Sequence, residues 1–185
     1  QAQLPKTVTE EFSIPEAYTL TKAREFVITP KGYETLEYNQ GTENTAETMP
    51  VLLGPWKACL TDTFSGEAIY RTTFRMDPAV LSESGEWILD LGTVKYTASV
   101  KINGTPVGIA AFLPHQVRFD GKVLKTENVL EIKVANTAAN QILDADIYSY
   151  FSLPVIGPYH QMTSNLEREY VDGGLYGPVV LKKLK

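Results

Sequence analysis

Apolar side chains recur at every second position through most of this chain. The cleanest run is residues 94–102, where Val94, Tyr96, Ala98, Val100 and Ile102 alternate with Lys95, Thr97, Ser99 and Lys101. Successive side chains of an extended chain point to opposite faces, so this alternation sends one set to a core and the other to solvent. Asn103-Gly104 follows, a pair that readily takes the positive φ angles of a type I′ turn, and residues 105–110 then run back alongside. The same period sets Ala68, Tyr70, Phe74 and Met76 against Arg71, Thr73 and Arg75. It sets Trp87, Leu89 and Leu91 against Ile88 and Asp90, and Leu130, Ile132 and Val134 against Glu131 and Lys133. Val179-Val180-Leu181 is expected to be the last strand, with a basic tip behind it.

Helix signals are few. Asp77-Pro78 offers an N-cap and a proline at the first helical position, enough for about one turn, and residues 122–125 suggest another. Nothing alternates strand with helix as a (β/α)₈ barrel or nucleotide-binding sheet would. Half-exposed alternation belongs to antiparallel sheets with one packed face. The pattern therefore predicts an all-β fold, a β-sandwich of the jelly-roll kind. Residues 39–50 are polar and turn-rich, and are expected to join an N-terminal extension (residues 1–50, with strand candidates at 25–29 and 33–38) to a sandwich over 51–185. Residues 137–177 form a long, aromatic connection, unusual unless it is functional or carries structure of its own.

The 185 residues, 43% hydrophobic, suit one domain that can bury a core without staples. The only cysteine, Cys59, excludes an intrachain disulfide and a Cys-rich zinc site. A net charge of −5 argues against a partner held by its phosphate backbone. No apolar run approaches the ~20 residues of a membrane-spanning helix. The chain opens on Gln1-Ala2-Gln3-Leu4-Pro5, which reads as a processed product or a piece of something longer.

Three ordered segments carry a family resemblance. The first is Gly54-Pro55-Trp56 with Ser65-Gly66-Glu67-Ala68-Ile69-Tyr70-Arg71-Thr72-Thr73-Phe74. The second is Leu89-Asp90-Leu91-Gly92-Thr93-Val94 leading to Val100-Lys101-Ile102-Asn103-Gly104-Thr105-Pro106-Val107-Gly108. The third joins Glu127-Asn128-Val129-Leu130-Glu131-Ile132-Lys133-Val134-Ala135-Asn136 to Gly174-Leu175-Tyr176-Gly177-Pro178-Val179-Val180-Leu181. Together they resemble the galactose-binding-like jelly-roll domain of family-two glycoside hydrolases, such as β-galactosidases and β-glucuronidases. The long insertion before Gly174 and the run Ala135-Asn136-Thr137-Ala138-Ala139-Asn140-Gln141-Ile142 look more like the C-terminal domain of large bacterial α-L-rhamnosidases. Those enzymes often carry Asn-Arg-Leu there; here Gln141 stands in place of the arginine, and no role is transferred to it. The resemblance implies a catalytic barrel elsewhere, a secreted or periplasmic setting, and a carbohydrate and a catalytic glycosidase domain as partners.

The candidate chemistry is modest. His115 and His160 are the only histidines, and neither sits in a metal-binding helical motif. Asp144 and Asp146 could offer oxygens to a structural Ca²⁺ of the kind similar jelly rolls hold, but the glycine and distal Glu of an EF-hand loop are missing. Solvated loop acids are the plainer reading. Glu167 and Glu169 on one strand would point the same way, roughly 7 Å apart. A glycosidase needs two carboxyls on opposite sides of the scissile bond. No Gly-x-Ser-x-Gly elbow appears. Asn103-Gly104-Thr105 fits a glycosylation sequon, but a turn explains it. Sugar recognition combines aromatic walls with polar anchors. The long connection supplies Tyr148, Tyr150, Phe151, Tyr159, His160, Gln161, Asn165, Arg168 and Tyr170. The loop around Phe112, Leu113 and His115 could lie nearby, with Trp56 as a wall. The plainer alternative packs these aromatics on their own sandwich and pairs Arg168 with Glu167 or Glu169; Trp56 and Trp87 look structural.

The expectation is a non-catalytic carbohydrate-binding or accessory domain, with Tyr148, Tyr150, Tyr159, His160, Arg168, His115 and Trp56 as the sugar-binding set. A structural module packed on a neighbouring domain is the first alternative, and a small glycoside hydrolase is the second.

Overall fold

The computed structural model describes residues 5–31, 35–40, 48–81, 85–144 and 169–185, with only the backbone described at 30, 31, 35, 36, 40 and 144. Two antiparallel sheets face each other. One has the order β1(Val8–Ser13), β14(Val180–Leu184), β7(Glu86–Asp90), β11(Gln116–Asp120). The other runs β10(Thr105–Ala110), β9(Thr97–Ile102), β12(Glu127–Ala135), β6(Gly66–Arg75), β2(Ala17–Lys31), β3(Thr35–Gln40), with β4(Thr48–Leu52) also on β2. A small third sheet, β5(Gly54–Pro55), β13(Gly174–Gly177), β8(Thr93–Lys95), closes one end. Helical structure among the described residues is short: α1(Pro78–Leu81), α2(Ala139–Asp144), and 3₁₀ turns at Trp56–Ala58 and Gly121–Val123. The architecture is all-β.

The alternating positions meet between the layers. Tyr70 and Phe74 of β6, Val100 and Ile102 of β9, and Leu130, Ile132 and Val134 of β12 pack toward Trp87, Leu89, Val117, Phe119 and Leu181 from the opposite sheet. Ile132 has 0% of its surface exposed. Asn103 and Gly104 take φ of 53° and 79°, the values the hairpin needs. The Asn103 side chain is also spent inside the fold: Nδ2 donates to the Val123 carbonyl (2.8 Å) and Oδ1 accepts the Val129 N–H (3.0 Å).

Three expectations are corrected. Tyr96 is 39% exposed rather than buried with Val94 and Ala98. The run 94–102 is two strands in different sheets, and the alternation breaks where β8 ends at Lys95 and β9 begins at Thr97. The basic tip is strand: β14 continues through Lys182 and Lys183 because β1 and β7 pair with it on both sides. Lys183 is buried, its ammonium over the Trp87 ring, 5.8 Å from the centre, and donating to the Val80 carbonyl at 3.3 Å. Finally, β2 is far longer than the strand expected at 25–29, and β4 arises within the stretch expected as a polar connection.

Residues 8–31 enter both layers. β1 pairs with β14, β2 pairs with β6, and Ile14, Tyr18 and Leu20 lie in the shared core. A bulge at Ala23 resets the alternation of β2 against β6, so Lys22 lies over the Phe64 ring while Arg24 meets Glu67 on the outer face.

Candidate functional site

The third sheet and the turn after it build a cleft at one end of the sandwich. Trp56 is its floor. Its backbone N–H donates to the Gly173 carbonyl (2.8 Å) and its indole N–H to the Tyr70 hydroxyl (2.8 Å), which also accepts the Leu175 N–H (3.1 Å). Gly173 passes directly over the indole; a Cβ there would stand 2.3 Å from the ring, so the approach requires glycine. Phe64 meets the same indole edge to face, with ring centres 5.1 Å apart. Burial pushes the Tyr70 phenol up to about 12, against hydrogen bonds from Leu175 and Trp56 that favour its ionised form, so it stays protonated across the physiological range.

Two asparagines fasten the wall. Asn136 accepts the Gly66 N–H (2.8 Å) and donates to the Phe64 carbonyl (2.8 Å). Asn140, on α2, donates to the Val171 carbonyl (2.8 Å) and accepts the Val171 N–H (2.7 Å). This two-way clasp ties the start of the long connection to its return, as buried amides must find partners for both ends. The remaining lining includes Lys57, Asp62, Tyr170 and Asp172, around a cavity of about 60 Å³.

Asp172 organises the outer rim. It accepts the Tyr176 hydroxyl and the Gly173 N–H. Burial and the adjacent Asp172 carboxylate both hold the Tyr176 phenol above its ordinary value, so it remains a donor. Lys95 lies over the Tyr176 ring, 5.5 Å from its centre. With Tyr170 about half exposed and Tyr96 also reaching solvent, this end offers aromatic surface beside a carboxylate, an amide and an ammonium. Asp172 accepts both of these hydrogen bonds, and a carboxylate has further lone pairs with which to receive a hydroxyl.

Of the residues expected from sequence, Trp56 and Tyr170 meet at this cleft. Trp56 is 2% exposed, so it contributes a floor and no open stacking face. His115 sits elsewhere, buried at the corner where Gly92 bridges Gly177, its Nδ1 3.3 Å from the Gly92 carbonyl. Tyr148, Tyr150, Phe151, Tyr159, His160, Gln161, Asn165, Glu167, Arg168 and Asp146 lie outside the described residues, as does the side chain of Asp144. Glu169 is described and exposed. Among the described residues, no three His, Cys, Asp or Glu side chains gather as a metal site would require. None of the described helices is long and apolar enough to cross a membrane.

Asn140, Asp172 and Tyr176 were not anticipated as site residues. Asn140 had a signal, since it lies four residues after Asn136 inside the run that carried the resemblance. Asp172 had only its place four residues before Tyr176, which no spacing rule singles out.

No family model matches the chain. A Formosa agariphila protein assigned by name to the β-glucuronidases is 38% identical over 80 residues, which is 43% of this chain and 7% of that protein. Among solved structures, the rhamnosidase of Novosphingobium sp. PP1Y superposes with a TM-score of 0.57 at 22% identity, over 99% of this chain and 16% of its own. The Bifidobacterium dentium β-glucuronidase gives 0.61 at 14% identity, over 99% of this chain and 31% of its own. The Bacteroides uniformis β-glucuronidase gives 0.53 at 16%, over 94% and 18%. The chain thus spans a minor part of each of these relatives. Its fold is that of a β-rich domain found within glycoside hydrolases, and it fits the galactose-binding-like sandwich.

Proposed function

We propose that this chain is a non-catalytic carbohydrate-binding accessory domain of a glycoside hydrolase, docking sugar at the Trp56–Asp172 cleft. One observation carries the reading: Tyr170, Asp172 and Asn140 converge over a rigid indole floor at the end of the sandwich. A pyranose would lay its C–H face on Tyr170 and direct hydroxyls to the Asp172 carboxylate and the Tyr176 phenol. Bound reversibly, it would raise the local substrate concentration for a tethered catalytic domain. The connection residues Tyr148, Tyr150, Tyr159, His160 and Arg168 belong to this proposal as further contacts. The role places the chain outside the cytoplasm, in the periplasm or beyond, where polysaccharides are met.

Calorimetric titration of the full chain with neutral oligosaccharides chosen from a glycan array tests it. Asp172→Asn should weaken binding roughly tenfold or more, the loss of a hydrogen bond to a charged group. Tyr170→Ala, Tyr150→Ala and Tyr159→Ala should each weaken it as well. A folded wild-type chain that binds no glycan at millimolar concentration would refute the reading.

A second reading has its own support. Ile109, Phe112 and Leu113 are 72%, 85% and 80% exposed, an apolar tip that suits packing on a neighbouring domain. If that is the chain's role, Phe112→Ser with Leu113→Ser should weaken its association with a co-expressed glycosidase domain.

A further inference from the structure

Away from the cleft, the outer face of the large sheet carries a groove of about 290 Å³ across β9, β12, β6 and β2. Strand pairing arranges its side chains in rows. Lys101 stands opposite Glu131, which stands opposite Arg71; Ser99 stands opposite Lys133, which stands opposite Ile69. The β2 bulge brings Arg24 opposite Glu67 at the far side. Glu67 is shared by two cations, Lys133 at 3.0 Å and Arg24 at 3.5 Å. Glu131 is taken by Arg71, bonded through Nε at 3.0 Å and through a guanidinium nitrogen. Lys101 has no carboxylate partner among the described residues. Arg24, Lys101 and Lys133 thus line the groove against Glu67 and Glu131, and Arg71 adjoins it on Glu131, so four cations meet two carboxylates on a chain whose net charge is −5.

We propose that this groove is a second binding surface, for an anionic polysaccharide whose carboxylate or sulfate groups meet Lys101 and the cations beside it. Strands about 4.8 Å apart make the four-strand groove roughly 14 Å wide, the span of two to three sugar rings. Alternation along β2 past Arg24 puts Ile28 on the same face, and Tyr38 pairs with Ile28. Tyr38 is 51% exposed and leans on Phe26 with ring centres 5.9 Å apart, which offers a stacking plane beside the charges. Apart from Ile69 and Ala23 the lining is polar, whereas the centre of a protein–protein interface is depleted of charge. A hydrated acidic glycan fits better than an acidic protein. The surface is independent of the neutral-sugar cleft, so either can fail alone.

Affinity electrophoresis of the full chain through gels holding polygalacturonate, dextran sulfate or neutral dextran tests the proposal. The expected result is retardation by one or both anionic polymers and none by neutral dextran, fading as ionic strength rises. The first two gels tell carboxylate from sulfate. Lys101→Ala should weaken binding roughly fivefold, the upper range for one partly exposed ion pair, and Lys101→Glu more. Lys101 is exposed, so folding should be untouched, and Tyr170→Ala in the cleft should leave retardation unchanged. Tyr38→Ala should weaken binding to the glycan. No retardation at low salt, retardation insensitive to Lys101→Glu, or equal binding of polyglutamate or single-stranded DNA would overturn the proposal.

Discussion

Tyr70→Phe isolates the polar hub beneath the cleft. The ring is 1% exposed and its volume is unchanged by the substitution, so core packing survives. What is lost is one oxygen that accepts two buried donors, the Trp56 indole N–H at 2.8 Å and the Leu175 N–H at 3.1 Å. Leaving a buried donor unsatisfied costs about 1–3 kcal/mol, so two cost roughly 2–6 kcal/mol, and removing the hydroxyl's own burial offsets part of that. The expected net loss is about 2–4 kcal/mol, a large share of the ~5–15 kcal/mol that holds a domain together. Urea unfolding followed by tryptophan fluorescence reads it, with the midpoint falling and the slope unchanged. A cycle sharpens it: Trp56→Phe removes one of the two donors. Tyr70→Phe should then cost about 1–2 kcal/mol less in that background than in the wild type. A single-variant loss below about 1 kcal/mol, or strict additivity in the cycle, would refute the hub.

Two further outcomes follow from the sheets. Deleting residues 1–50 removes β1 and β2 from the two layers together with Ile14, Tyr18 and Leu20, so the remainder should lose its cooperative urea transition; a sharp transition in the truncated chain would show that residues 51–185 fold alone. Burial opposes ionisation of Asp90, but the Gly92 N–H, the Gln116 amide and the Lys182 ammonium outweigh it and hold the carboxyl below its ordinary value. The unfolded chain therefore takes up this proton at higher pH than the folded one. The resulting stability is complete above about pH 4 and is lost as pH falls through the folded value. Asp90→Asn should be less stable than wild type at neutral pH, with the gap closing in acid; a gap constant from pH 7 to pH 2 would contradict this.

The layers were legible because burial of one face imposes a period of two. Leu130, Ile132 and Val134 announced their strand and their orientation at once, and Asn103-Gly104 announced its turn. The rule fails where a strand changes sheets or bulges. Tyr96 continues the alternation in sequence but follows the end of β8, and the Ala23 bulge disguised β2 by shifting its parity. β14 looked short because Lys182 and Lys183 read as solvent-facing, although a lysine can be buried with its ammonium over a tryptophan ring and on a backbone carbonyl. The cleft was harder to anticipate. Trp56 and Tyr170 were visible as aromatics, but Asn140 acts through the distant backbone of Val171, which only tertiary structure brings near, and Asp172 bonds Gly173 and Tyr176 in a local turn that no motif marks. The charged groove is spread over four strands, one or two residues from each, and no linear motif records it.

Amide-resolved NMR of the full chain, titrated with a neutral oligosaccharide it binds, puts the question most directly. Shift changes should centre on Asn140 and residues 170–173 and on the indole N–H of Trp56, leaving Ser99, Lys101 and Lys133 unmoved. Saturating sugar that leaves those signals in place, or that moves only residues remote from Trp56, would contradict sugar docking at this end of the sandwich.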